Sequence, residues 1–108
     1  MKYYLIDEIR SSDIGKIEVC LQQDTEATDF DKVFWIKIPD NLLTSEQSNQ
    51  HKPFVIAIES GNDWVKAELF VRSLENFTGK YQGYCNTAQA NFVMEYINNI
   101  IQKLNITT

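Results

Sequence analysis

The amino-acid sequence predicts an α+β domain: a five-stranded, mainly antiparallel sheet, strongly twisted or partly closed, with one C-terminal helix packed on one face. Three observations lead there. One long segment, Asn86 to Leu104, has an unambiguous helical period. The residues before it fall into short stretches that either alternate apolar with polar or run apolar throughout. Strands first and helix last is the order of an α+β fold rather than of alternating parallel units.

Taken in order, Lys2 to Arg10 reads as a first strand, with Tyr3, Leu5 and Ile9 set against Tyr4, Ile6 and Glu8, and with Asp7 spoiling one register. Ser11 to Gly15 has the length and composition of a hairpin loop. Ile17, Val19 and Leu21 then alternate with Glu18, Cys20 and Gln22, the pattern of a second strand with one wet face. After an acidic connection, Asp24 to Asp31, the stretch Lys32 to Ile38 is apolar almost without a break, so this third strand is expected to be covered on both sides. Phe34, Ile36 and Ile38 share one of its faces, Val33 and Trp35 take the other, and Pro39 ends it.

Asp40 to Lys52 is polar apart from Leu42 and Leu43, and a short helical turn fits there. Phe54 to Glu59 forms a fourth strand and Ser60-Gly61-Asn62-Asp63 a tight turn. Trp64 to Ser73 forms the fifth strand. Val65, Ala67, Leu69 and Val71 point one way; Trp64, Lys66, Glu68, Phe70 and Arg72 point the other. Glu75 to Tyr84 connects to the helix, where Phe92, Val93, Tyr96, Ile97, Ile100, Ile101 and Leu104 make one apolar stripe. Asn86 with Gln89 three residues on is a candidate capping box. Burying that stripe is worth on the order of 10–20 kcal/mol gross, so the sheet must offer an apolar face to receive it.

At 108 residues, 44% hydrophobic and 23% charged, the chain matches one compact domain. Net charge is −5, and of the ten basic residues only Arg10 and Arg72 are arginines, so no basic cluster exists for phosphate and no nucleic-acid partner is expected. The acids Asp7 and Glu8 interrupt the segment where a secretory leader would need an apolar run, and no stretch approaches the roughly 20 apolar residues of a membrane span. A cytoplasmic protein without membrane contact is expected.

The two cysteines, Cys20 and Cys85, match no metal spacing, and both read as free thiols. Cys85 precedes a helix N-terminus, where the macrodipole can lower a thiol pKa. Its only conceivable base is the single histidine, His51, and nothing in the sequence joins the two. No nucleotide, serine-hydrolase or zinc motif is present, so no catalytic residues, metal or cofactor are expected. Asp24, Glu26, Asp29 and Asp31 lack EF-hand spacing and read as a solvated acidic loop able to steer a basic partner. Trp35, Trp64 and Phe70 fall on the sheet face away from the helix, and contiguous apolar area of that kind marks a contact surface.

The expected function is therefore a non-catalytic protein-binding module using Asp24, Glu26, Asp29, Asp31, Trp35, Trp64 and Phe70, with an acidic inhibitor or immunity protein against a basic partner as its sharpest form. A homodimer through the same sheet face is the expected self-association. The competing expectation is a small-ligand-binding protein whose pocket, between helix and sheet, is mouthed by Phe77, Tyr81 and Tyr84.

Overall fold

The computed structural model describes residues 1–28, 30–50, 53–75 and 81–108. The chain opens with strand β1 (Tyr3–Ile6) and then departs from the sequence-based expectation: residues read as a hairpin loop and second strand form one helix, α1 (Ser11–Asp24). The spacing Ile17, Val19, Leu21 satisfies a period of two, but Ile14, Ile17 and Leu21 satisfy a helical period, and these are the positions that are buried together with Cys20. Val19, which a strand would turn inward with Ile17 and Leu21, is 52% exposed.

Topology explains why the helix wins. The sheet runs β1-β5-β4-β3-β2, so the segment after β1 must cross to the opposite edge, four strand spacings or about 19 Å away. The 14 residues of α1 span about 21 Å as a helix and bury one stripe on the sheet as they cross. Gly15 lies inside α1 with open space where a Cβ would be. Gly15→Ala is accordingly expected to raise the unfolding free energy by about 0.5–1 kcal/mol, read from urea denaturation.

The remaining elements are β2 (Glu26–Ala27), β3 (Val33–Lys37), a 3-10 turn at Asp40–Leu42, the short helix α2 (Ser45–Ser48), β4 (Phe54–Ser60), β5 (Val65–Glu68), β6 (Phe70–Ser73), β7 (Gly83–Tyr84) and helix α3 (Thr87–Lys103). Every strand pairing is antiparallel, and the sheet is open rather than closed. The class is thus the α+β architecture that the sequence predicts, with the C-terminal helix against one face and α1 beside it as an added helix. Ile14, Ile17 and Leu21 of α1 share one core cluster with Val93, Ile97 and Ile100 of α3 and with Phe34, Ile36, Phe54, Ile56, Ile58, Val65 and Ala67 of the sheet.

The predicted fifth strand is divided. β5 pairs with β1 and β4, whereas β6 pairs with β4 and β7, and the two stretches are out of register with each other on β4. Leu69, between them, donates its N–H to the Lys2 carbonyl (2.9 Å) and accepts at its carbonyl from Cys85 N–H (3.0 Å), so the strand changes neighbour at a bulge. The turn before β5 depends on Gly61. A Cβ there would lie 2.1 Å from the Trp64 indole, which folds back across the turn.

Two capping boxes interlock on the helix side. Asn86 caps α3 with Gln89, as the sequence suggests, and Thr44 caps α2 with Gln47 in the same reciprocal way. The two glutamines are buried and bonded to each other: Gln89 Nε2 donates to Gln47 Oε1 (3.0 Å) and to the Leu42 carbonyl (3.0 Å), while Gln47 Nε2 donates to the Tyr81 carbonyl (3.0 Å). This network holds the segment from Leu42 to Ser48 against the N-terminus of α3. Leu42 and Leu43 consequently pack on the core and not over the far face of the sheet.

On the other flank, Glu18 of α1 accepts from Ser60 Oγ (2.6 Å) and Lys32 Nζ (2.7 Å), fixing the helix to the end of β4. Burial pushes the Glu18 carboxyl up, but the bonds from Lys32 and Ser60 outweigh it and hold the group below its ordinary value.

Candidate functional site

Ladder register assigns the second face of the sheet residue by residue. Leu5, Lys66, Glu59 and Val33 lie in one row across β1, β5, β4 and β3. Tyr3 and Glu68 form a neighbouring pair, as do Ala57 and Trp35, and Val55 stands between Lys37 and Arg72. Trp64 and Phe70 share this side by strand parity. Trp35, Trp64 and Phe70 are half-buried and belong neither to the core cluster nor to the shell around it, and Val55 on the same face is buried outside that cluster. The expectation that the third strand is covered on both sides is met on one side only: Phe34 and Ile36 are buried, while Val33 and Trp35 on the other face are half-buried.

Cations pave part of this face. Lys66 Nζ lies 4.5 Å from the ring centroid of Tyr3, 5.1 Å from that of Trp64 and 3.7 Å from Glu59. Arg72 holds Glu68 in a bidentate pair, Nε to Oε1 3.1 Å and Nη2 to Oε2 3.2 Å, with its guanidinium 5.4 Å from the Phe70 ring. Phe70 in turn meets Tyr84 edge to face at 5.7 Å. The aliphatic stems of Lys66 and Arg72 thereby cover ring surface while their charged ends are neutralised by Glu59 and Glu68.

Between these groups lies a depression of about 330 Å³ bordered by Tyr3, Phe30, Trp35, Lys66 and Arg72. Tyr3 is 46% and Phe30 72% exposed. Across the Tyr3 and Lys66 wall is a second depression of about 420 Å³, lined by Leu5, Trp64, Asp7 and Asp63, with Lys66 as its single cation. Trp35 and Trp64 therefore serve adjoining hollows of one surface. Tyr3, Leu5, Asp7, Phe30 and Asp63 were not legible as parts of it; the first three read only as a doubtful strand and the last as a turn.

The acidic loop is shorter than the sequence suggests. Asp24 is the last residue of α1 and accepts from Tyr96 Oη of α3 (3.1 Å). Glu26 lies in β2 and pairs with Lys37 (2.9 Å). Asp31 is exposed, and Asp29 lies outside the described residues. Asp24 and Glu26 are thus already engaged, and Asp7 and Asp63 are carboxylates that line the hollow beside Trp64 and Lys66. Burial, with Asp24 beside it, pushes the Tyr96 hydroxyl pKa up.

Tyr81 and Tyr84, expected at a ligand mouth, are both exposed and flank a depression of about 290 Å³ against α2 and the start of α3; Phe77 lies outside the described residues. Gln47 and Gln89 form part of its floor, but their amides are spent on one another and on backbone groups.

Cys85 does not gain a lowered pKa from the helix that follows. Burial pushes its thiol up to about 11. His51, its only sequence candidate for a base, lies outside the described residues. At pH 8 roughly one thiol in a thousand is ionised, so Cys85 alkylation in the folded chain is expected to be slow, to accelerate as pH approaches 11, and to lose this lag in denaturant; fast labelling at pH 7 would contradict the burial. Among the described residues no group of three or more His, Cys, Asp or Glu side chains is arranged to hold a metal ion. No described helix is long and apolar enough to cross a membrane.

No known protein-family model matches the chain, and no curated protein or solved structure matches it either. Fold and face together define an antiparallel sheet domain with both long helices on one side and a cation-paved aromatic surface on the other.

Proposed function

We propose that the chain is a non-catalytic protein-binding module whose contact surface is the open face of the sheet. One observation carries the reading: the rings of Trp35, Trp64, Phe70 and Tyr3 stand outside the core cluster on the face opposite the helices, Tyr3 exposed and the other three half-buried. Aromatic residues and arginine beside hollows are the groups that anchor protein contacts. The internal pairs Lys66 with Glu59 and Arg72 with Glu68 let the face be desolvated without stranding a charge. Asp7 and Asp63, with the overall charge of −5, favour a basic partner, and an inhibitor or immunity protein against such a partner is the sharpest form of the proposal.

Affinity capture from the source cell, followed by salt titration, tests it. A partner is expected to be retained at low ionic strength, released as salt rises, kept by Val19→Glu on the helix side and lost by Trp35→Glu. Equal retention by both variants, or no partner at all, overturns the reading. A second copy stacked on the same face is the other possible occupant, and a dimeric mass that falls with Trp64→Glu identifies it.

One observation favours a second reading, binding of a small planar molecule: the depression of about 290 Å³ beside Tyr81 and Tyr84. A metabolite thermal-shift screen in which a stabilising hit disappears with Tyr81→Ala supports it, and a screen without hits removes it.

A further inference from the structure

We infer that the hollow beside Trp64 is a guanidinium site, which receives an arginine side chain of the basic partner. The inference rests on the open-face reading above and adds to it the chemical group that the face takes in. β1 and β5 run side by side up to the pair Ile6 with Val65, and beyond it Ile9 N–H donates to the Asp63 carbonyl (2.9 Å). The exit of β1 and the entry to β5 are therefore held together. Asp7 keeps the side of the strand taken by Tyr3 and Leu5, before the backbone turns away at Glu8, where φ is 57°. Asp7 and Asp63, both exposed, thus line one hollow of about 420 Å³ with Tyr3, Leu5, Trp64 and Lys66.

Charge selects a cation for this hollow and not for its neighbour. The hollow beside Trp35 carries Glu59 with Lys66 and Glu68 with Arg72, acids and bases matched in closed pairs. Beside Trp64, the Lys66 charge is already met by Glu59 (3.7 Å), so the carboxylates of Asp7 and Asp63 are in excess. Neither is a member of any ion pair among the described residues. An incoming cation is the complement of that excess.

The aromatic walls point the same way, independently of the acids. Lys66 Nζ lies 4.5 Å from the Tyr3 centroid and 5.1 Å from that of Trp64, so these rings already accept a cation from within the chain. The Trp64 indole is backed by its own turn, where a Cβ on Gly61 would lie 2.1 Å from it, and its place is set before any partner arrives. A guanidinium fits this lining better than an ammonium does. It is planar and can lie along an indole, its forked N–H donors can meet both carboxylates at once, and it sheds water more readily. Arginine in an aromatic hollow is also the kind of anchor that dominates protein contacts.

Titration of the full chain with acetyl-arginine amide, followed by nuclear magnetic resonance, tests the site directly. The Trp64 indole N–H signal is expected to move with a millimolar dissociation constant while that of Trp35 stays, and acetyl-lysine amide is expected to bind about threefold more weakly. Asp7→Asn and Asp63→Asn keep side-chain size and turn preference, so circular dichroism is expected to be unchanged. Each is expected to weaken binding about threefold, and the two together about tenfold. A Trp64 signal that does not move, equal binding of the lysine compound, or a dissociation constant indifferent to the Asn variants overturns the inference. A captured partner that Trp35→Glu releases but the double Asn variant holds unchanged also overturns it, and leaves the open-face reading standing. Arginine amide bound at Trp64 with no partner captured sinks that reading and keeps the site.

Discussion

Gln89→Leu is expected to lower the unfolding free energy by about 3 kcal/mol, a large share of the total for a domain of this size. The side chain is 1% exposed and bonded at both ends of its amide. Its Oε1 accepts from Asn86 N–H (3.1 Å), and its Nε2 reaches both the Leu42 carbonyl and Gln47 Oε1. Leucine fills the volume but takes away the partners of Asn86 N–H and the half-buried Leu42 carbonyl, and leaves the buried Gln47 Oε1 without its bond from Gln89. Gln47→Leu is expected to cost somewhat less, and the double variant less than the sum of the two, because the bond between the glutamines is lost only once. Urea denaturation of the three variants measures this; a Gln89→Leu change below about 1 kcal/mol, or strict additivity, would mean that the two caps are not joined.

The second large effect separates helix from strand in residues 11–24. Ile17→Ala and Leu21→Ala are each expected to cost about 2–4 kcal/mol, since both side chains are buried between α1 and the sheet. Val19→Ala, on the wet side of the helix, is expected to change stability by less than about 0.5 kcal/mol. A strand would turn all three inward and make the three costs similar, so equal losses in thermal or urea unfolding would contradict α1.

The same residues show where the sequence stops being decisive. Ile14, Ile17, Val19 and Leu21 contain a period of two and a period of 3.6 at once, and a window this short cannot choose between them. What chooses is the position of β1 and β2 at opposite edges of one sheet, a fact about pairing partners far away in the chain. The stripe of α3 is legible because it repeats over four turns, and its cap is legible because Asn86 and Gln89 are three residues apart. That Gln89 also meets Gln47 and Leu42 is not, because those partners lie 42 and 47 positions away.

For the candidate surface the division is similar. Strict side-chain alternation along a strand was enough to assign Trp35, Trp64 and Phe70 to the face opposite the core. The sequence by itself determined the α+β class, the C-terminal helix with its cap, the hairpin around Gly61 and the sidedness of the sheet, all of which rest on contacts between near neighbours. Only the tertiary structure decided that α1 is a helix, that the last long strand breaks at Leu69, that Asp24 and Glu26 already have partners while Asp7 and Asp63 border the open face, and that burial raises the Cys85 thiol instead of the helix lowering it. The physical reason is common to them: periodicity and capping are short-range properties written into successive residues, whereas burial, ion pairing and strand exchange depend on which distant segments are brought within a few ångströms.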